Sequence, residues 1–196
     1  FGQLLLFQFS TKNRKEFAVK THINQTRKWA VRKMKKIVVC GASGLIGTSL
    51  VERLRQERHK VVVVGRDANR LRASFAGDAE ALTWEEFARY DASEIDTIVN
   101  LSGASVGDKR WTDDYKKVMH DSRIDSTRKC VEVTKRNPEI HLVNASAVSA
   151  YGFYFDNDFE FTEGDEVKRS GTSYLQELID DWEAEALKAN DHGSRV

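Results

Sequence analysis

Lys35-Lys36-Ile37-Val38-Val39-Cys40-Gly41-Ala42-Ser43-Gly44-Leu45-Ile46-Gly47 is the stretch that decides how the rest of the chain is read. Ile37 to Cys40 is a short apolar run, largely β-branched, of the kind that suits a strand buried on both faces. Gly41, Gly44 and Gly47 follow at three-residue spacing, and Leu45, Ile46, Leu50, Val51 and Leu54 then recur at helical period. A strand that turns through glycines into a helix is a cradle for phosphate. Gly41 permits the tight turn, Gly44 lets a diphosphate approach the backbone, and Gly47 lets the helix pack close to the strand. Gly41, Ala42, Ser43, Gly44, Leu45, Ile46 and Gly47 are therefore the expected contacts of a dinucleotide, through main-chain N–H groups aimed at the anion.

The glycines are spaced Gly-x-x-Gly-x-x-Gly, not Gly-x-Gly-x-x-Gly. Set between this strand and this helix, the motif resembles the fingerprint of the extended short-chain dehydrogenase/reductase superfamily; a merely structural turn is the alternative. The expected fold is a Rossmann-type α/β domain with a doubly wound parallel sheet. Its strands fall near 36–40, 61–64, 81–84, 97–101 and 140–144, with helices over about 45–58 and 69–75 and a long one to about Arg136.

Two strand ends refine the cofactor. After Val61–Val64, Gly65 and Arg66 stand where NAD-selective folds carry an acid for the ribose 2′-hydroxyl, and Arg70 lies one helical turn on. A carboxylate repels a 2′-phosphate, whereas a guanidinium pairs with it, so NADP(H) is expected over NAD(H). The plain alternative makes Arg66 a solvated surface base. The fourth strand ends in Leu101-Ser102-Gly103-Ala104. In the superfamily the small residues there floor the adenosine, so the resemblance implies cofactor contacts at Leu101 and Gly103, against the alternative of a bare turn.

Asn-Leu-Ser-Gly-Ala-Ser (100–105), Asp-Lys-Arg-Trp-Thr (108–112), Asp-Ser-Arg (121–123), Asn-Ala-Ser-Ala (144–147), Tyr151-Gly152 and Trp182-Glu183 narrow the resemblance. Together they look like the NAD(P)-dependent epimerase/dehydratase branch, whose bacterial and organellar members are sometimes named cell-division-inhibitor homologues. Arg110 and Arg123 have two readings, as holders of a substrate carboxylate or cofactor phosphate, or as part of a surface loop pinned by Trp111. The resemblance implies that Ser146, or else Ser149, hydrogen-bonds a substrate carbonyl or hydroxyl. It also places residues 153–172, with Phe153, Phe155, Phe159 and Phe161, over the nicotinamide end.

The superfamily's Tyr-x-x-x-Lys pair is missing. Four residues after Tyr90, Tyr115, Tyr151, Tyr154 and Tyr174 come Glu94, Met119, Phe155, Asp158 and Leu178. If Trp182-Glu183 sets the register, Ser173 and Glu177 occupy the Tyr and Lys positions. A neighbouring ammonium lowers a tyrosine's pKa toward the working range, and an acid raises it. Tyr174 on the helix and Tyr151 in the preceding loop are the nearest stand-ins, each with core packing as its alternative.

Charge divides the chain. Residues 1–33 hold eight Lys/Arg and one acid, Glu16, leaving 23 bases and 29 acids in residues 34–196. The second part is mildly acidic and gives no sign of a nucleic-acid groove or membrane face. Leu4–Phe7 is too short an apolar run to span a bilayer. Residues 1–33 are expected to lie outside the fold, as translated upstream sequence or a gene-model extension. An organelle-targeting segment and a basic arm for RNA or lipid are the alternatives. The Rossmann domain is assigned to residues 34–196, read as an amino-terminal portion stopping before the final strands and substrate domain.

Cys40 and Cys130 lack metal-ligand spacing and read as small core residues in a reducing compartment. The five histidines are scattered singly, so no metal is expected. Two functions remain. One is an atypical NADP(H)-dependent oxidoreductase or epimerase acting on a carbonyl or sugar-like small molecule in the cytoplasm. The other is a non-catalytic redox-sensing module that takes up NADP(H).

Overall fold

Alternate residues of the central strands face two separate cores, and that division builds the molecule. The computed structural model describes residues 34–75, 77, 79–151, 162, 164 and 173–196. Lys35–Val196 forms one unit, and the basic extension and most of 153–172 lie outside the described residues. In β1 (Lys36–Cys40) and β2 (Lys60–Gly65), Val38, Cys40, Val62 and Val64 face one core, while Ile37, Val39, Val61 and Val63 face the other. With helices on both faces, neither strand keeps a polar side, which is why each reads as a continuous apolar run.

The sheet has five parallel strands in the order β3-β2-β1-β4-β5, with β3 spanning Glu80–Thr83, β4 Thr97–Asn100 and β5 His141–Asn144. Helices α1 (Leu45–Gln56) and α2 (Ala68–Phe75) pack one face through Val51, Leu71 and Phe75. The opposite face carries α3 (Trp84–Arg89), α4 (Asp113–Thr134) and α5 (Tyr174–Leu187), through Phe87, Cys130, Val131 and Ala186. This is a Rossmann-like fold. The strand order reverses between β1 and β4, so their carboxyl ends diverge and open the crevice where such sheets bind ligands. Beyond β5, Arg195 forms a parallel bridge with His141, and Leu142 N–H donates to the Arg195 carbonyl at 2.8 Å.

Three boundaries differ from expectation. The third strand ends at Thr83, not at residue 84, because Thr83 caps α3. Its hydroxyl accepts from Glu86 N–H at 3.2 Å and its own N–H donates to the Glu86 carboxylate at 2.7 Å, so Trp84 becomes the first helical residue. Helix α1 ends at Gln56, two residues early, because Arg58 takes a left-handed conformation (φ 64°) and His59 N–H returns to the Leu54 carbonyl. The fourth strand ends at Asn100, one residue early, and its side chain turns into the face covered by α4, toward Thr127.

Cys40 and Cys130 are fully buried, with sulfurs 3.7 Å apart, and burial pushes the Cys40 thiol well up. A thiolate is the reactive form, so Cys40 is not poised for chemistry, and Cys130 is sealed from any reagent by its burial. A disulfide-exchange reagent should modify both quickly in denaturant and neither in the native protein; rapid native labelling would contradict this packing.

Candidate functional site

The glycine loop lies at the carboxyl end of β1 and is held by close backbone packing. Gly41 has φ +78°, and a Cβ there would meet the Leu101 carbonyl group at 2.9 Å. Leu101 N–H in turn donates to the Cys40 carbonyl at 3.0 Å, so the chain leaving β4 closes against the chain leaving β1. A Cβ on Gly47 would lie 2.5 Å from the Gly41 oxygen and 2.8 Å from the Cα of Ala42. Ala42 is completely buried beneath that contact. At Gly44 an added Cβ would meet only the Gly41 oxygen, at 3.3 Å, and otherwise open space. Gly41 thus makes the tight turn and Gly47 the close helix–strand packing, while Gly44 faces space.

Gly44 is the N-cap of α1, and no side chain caps that helix. The hydroxyl of Thr48 instead donates back to the Gly44 and Ala42 carbonyls, at 2.9 and 3.2 Å, tying the first turn to the loop. The amides of Leu45, Ile46 and Gly47 belong to the turn whose N–H groups have no intrahelical acceptor, and they present the positive end of the helix dipole. Leu45 and Ile46 are 90% and 69% exposed, and Ser43 is exposed as well.

Arg66 and Arg70 follow β2 along the same edge of the sheet. Both are exposed, and neither guanidinium has a hydrogen bond or ion pair among the described residues. The nearest acid, Asp67, is spent on the helix, since its carboxylate accepts from Arg70 N–H at 3.0 Å at the start of α2. Among the described residues, therefore, no carboxylate pairs with either guanidinium.

Below the crevice runs a buried polar network that the sequence reading missed. Asn100 is fully buried and donates to the Thr127 hydroxyl at 2.9 Å and to the Asn144 side-chain oxygen at 2.8 Å. Its own oxygen accepts from Ser102 N–H, and Trp182 Nε1 donates to the same Thr127 hydroxyl at 2.8 Å. The network ties β4 and β5 to α4 and α5. Asn100→Leu leaves several of these groups unpaired and should cost about 2–3 kcal/mol in urea unfolding; a loss below about 0.5 kcal/mol would deny the network its role.

Ser102 Oγ and Arg123 Nε are the buried side-chain polar atoms without a partner among the described residues, and both sit at the carboxyl end of β4. Each such atom costs roughly 1–3 kcal/mol if nothing pairs with it. The space that Gly103 leaves open is filled by the Arg123 guanidinium, whose Cζ lies 2.9 Å from where a Cβ would stand. Gly103, expected as a cofactor contact, thus has a packing reason of its own to be glycine.

Each expected catalytic residue has a local setting of its own. The Ser146 hydroxyl donates to Glu183 at 2.5 Å, so the Trp-Glu pair fixes the loop after β5. Ser149 is buried in the short 3-10 turn Val148–Tyr151, which Tyr151 ends. Tyr174 donates its hydroxyl to the Lys116 carbonyl at 2.6 Å, and its ring meets Trp111 edge-on at 6.0 Å. Burial raises the Tyr174 pKa; Arg123 opposes that effect and Asp121 adds to it. Ser173, which the register matches to the superfamily's tyrosine, caps α5 by accepting from Gln176 N–H. Trp111 donates to the Val106 carbonyl at 2.7 Å and pins the surface loop carrying Arg110, whereas Arg123 projects from α4 into the interior.

A family model for the NAD-dependent epimerase/dehydratase family matches residues 37–194. The chain belongs to that family. It is 33% identical over 164 residues to an epimerase family protein of Mycobacterium leprae, covering 82% of this chain and 50% of that protein. It is also 33% identical over 165 residues to a chloroplastic epimerase family protein of Arabidopsis thaliana, covering 79% of this chain and 45% of the other. Among solved structures, the human epimerase family protein SDR39U1 with NADPH is 24% identical with a TM-score of 0.63, over 77% of this chain and 48% of that one. A Bacillus cereus UDP-glucuronic acid 4-epimerase in complex with NAD shares the fold at 19% identity and a TM-score of 0.58, over 80% and 52% of the two chains. The chain spans about half the length of the curated relatives it matches. Among the described residues no helix is long and apolar enough to cross a membrane.

Proposed function

We propose that this family member binds NADP(H) at the carboxyl edge of its sheet and forms the cofactor half of an atypical oxidoreductase or epimerase. Its substrate is a carbonyl or sugar-like small molecule, and it works in the cytoplasm without nucleic acid or membrane partners. The observation that carries the proposal is the uncapped start of α1, packed on the Gly41 turn beneath a Gly44 that faces open space. The residues fit a dinucleotide: the amides after Gly44 suit its diphosphate, Arg66 and Arg70 a 2′-phosphate, and the unpaired Ser102 hydroxyl a polar group above β4. A human relative in the same fold is described with NADPH.

When bound, the cofactor supplies or accepts a hydride. The chain's own part is to hold the dinucleotide, to keep the ends of β4 and β5 rigid through Asn100, and to orient Ser146 through Glu183. The expected result of a fluorescence titration is saturable NADPH binding with NADH much weaker; no binding of either would end the proposal.

A second role, NADP(H) sensing without turnover, is favoured by the absent Tyr-x-x-x-Lys pair and by a Tyr174 hydroxyl committed to the main chain. Following NADPH absorbance in the whole protein against a panel of carbonyl compounds separates the two. Substrate-dependent oxidation supports the enzyme, and tight binding without oxidation supports the sensor.

A further inference from the structure

Among the described residues, Arg123 is a cation without a counter-ion. It leaves α4 at the carboxyl end of β4, and Nη1 spends its protons on two main-chain oxygens, of Ala104 and Met119, each at 3.0 Å. Its Cζ lies 5.1 Å from the centre of the Trp182 ring. Nε is sealed from solvent, and neither it nor Nη2 has a hydrogen-bond partner among the described residues. No carboxylate lies within ion-pair distance among the described residues.

The surroundings add aromatic surface and two lysines, of which Lys116 is paired with Asp113 at 3.5 Å. Lys109 lies over Tyr115 at 5.7 Å and Lys116 over Tyr174 at 5.6 Å, while Trp111 packs edge-on to Tyr174. Burial works against the charge on Arg123, and the two phenols beside it, Tyr174 and Tyr115, have their hydroxyls taken by main-chain oxygens, of Lys116 and Ser105. A guanidinium stays charged at any working pH, so burial here strengthens its pull on an incoming anion. A neutral carbonyl would leave that charge uncompensated, whereas a carboxylate compensates it fully. Trp182 holds the guanidinium from one side and is itself fixed by Thr127, so the group is positioned in advance by the network under the crevice.

We propose that Arg123 is a substrate-binding residue that selects a carbonyl compound bearing a carboxylate, seated at the carboxyl end of β4. This deepens the proposed function and rests on it for the role of the cofactor. The carboxylate approaches from the Nη2 side, the edge of the guanidinium that carries no hydrogen bond among the described residues, while the bonds of Nη1 to Ala104 and Met119 keep the group in place. The glycine at 103 is what lets the guanidinium lie there.

Pyruvate and its neutral methyl ester are suitable probes, titrated by calorimetry into the protein with and without NADPH. Pyruvate is expected to bind, and the ester to bind roughly tenfold or more weakly, the loss expected when a charge-assisted hydrogen bond goes. Arg123→Met should lose pyruvate by a similar factor, Arg123→Lys should recover part of it, and NADPH fluorescence should change little in either. Gly103→Ala keeps the charge but drives a methyl against Cζ, so it should also weaken pyruvate binding; it covers the case in which Arg123→Met does not fold. Equal affinity for acid and ester, wild-type affinity in Arg123→Met, or no pyruvate binding at all would overturn the proposal. Competition between pyruvate and NADPH would overturn it too, in favour of a cofactor phosphate at Arg123. Failure of NADPH to bind would instead strike the proposed function, because the titration without cofactor still reads Arg123.

Discussion

Gly47→Ala is expected to damage the fold and the dinucleotide site together, whereas Gly44→Ala should spare the fold and damage only the site. The added methyl at Gly47 would sit 2.5 Å from the Gly41 oxygen and 2.8 Å from both Cα and the oxygen of Ala42. All of these are backbone atoms, and none can swing aside as a side-chain tip would. Either α1 lifts away or the Gly41 turn opens, and Gly41 is itself trapped against Leu101. Overpacking of this kind costs about 1–3 kcal/mol, and the upper end applies where every neighbour is main chain. The lifted helix would also carry its first-turn amides away from the diphosphate. A favourable helix terminus gives an anion up to about 2 kcal/mol, so NADPH affinity should fall by roughly 30-fold.

At Gly44 the methyl meets one oxygen at 3.3 Å and otherwise projects into the open crevice. Losing glycine at an N-cap costs at most about 1 kcal/mol, so thermal unfolding should move little while NADPH binding drops. Unfolding curves and NADPH titrations of the two variants give the answer. If both leave NADPH affinity intact, the loop does not hold a dinucleotide.

The parts of this molecule legible in its sequence are those governed by neighbours along the chain. The β1 strand, the glycine turn and the start of α1 fall within Ile37–Leu50, and each residue type there has a local physical reason. The end of β3 is equally local, since Thr83 and Glu86 spell a capping box that makes Trp84 the first helical residue. The network around Asn100 is another matter. Its bonds reach 27 residues along the chain to Thr127 and 44 to Asn144, and nothing local says that an asparagine ending a strand will turn inward.

The same holds for Gly103. Its packing reason is a side chain twenty positions on, so the segment itself offers only a cofactor contact by resemblance or a bare turn. Ser146, Asn144 and Trp182-Glu183, noticed first as marks of a family branch, have a shared explanation in three dimensions. They clamp the ends of β4 and β5 to the last two helices. Tyr174 was the natural stand-in for a catalytic tyrosine by position, but its hydroxyl bond to Lys116 spans 58 residues and has no signature in either segment.

Arg66→Asp is expected to reverse cofactor preference, because it acts on a single phosphate and little else. Arg66 follows β2 on the exposed edge, and its guanidinium has no protein partner to lose among the described residues. Stability should therefore stay within about 0.5 kcal/mol of the parent, as for most surface substitutions. Binding is different. A hydrogen bond to a charged group contributes about 1.5–3 kcal/mol, and replacing the donor by a carboxylate adds repulsion, so NADPH should weaken by roughly 100-fold or more. NADH has no 2′-phosphate and should change little, or improve if the new carboxylate takes the ribose hydroxyl.

Two further readouts follow from the same charge pair. In the parent protein the preference for NADPH should shrink as salt rises, because an exposed pair is screened. It should also shrink as pH falls below about 6, where a phosphate monoester takes up its second proton and the guanidinium faces one negative charge in place of two. Arg66→Asp should show the opposite salt trend for NADPH, with repulsion relieved as salt is added. Equal losses of NADH and NADPH in the variant, or a salt-independent preference in the parent, would mean that the 2′-phosphate is not read at Arg66, and the choice of NADP(H) over NAD(H) would lose its physical basis.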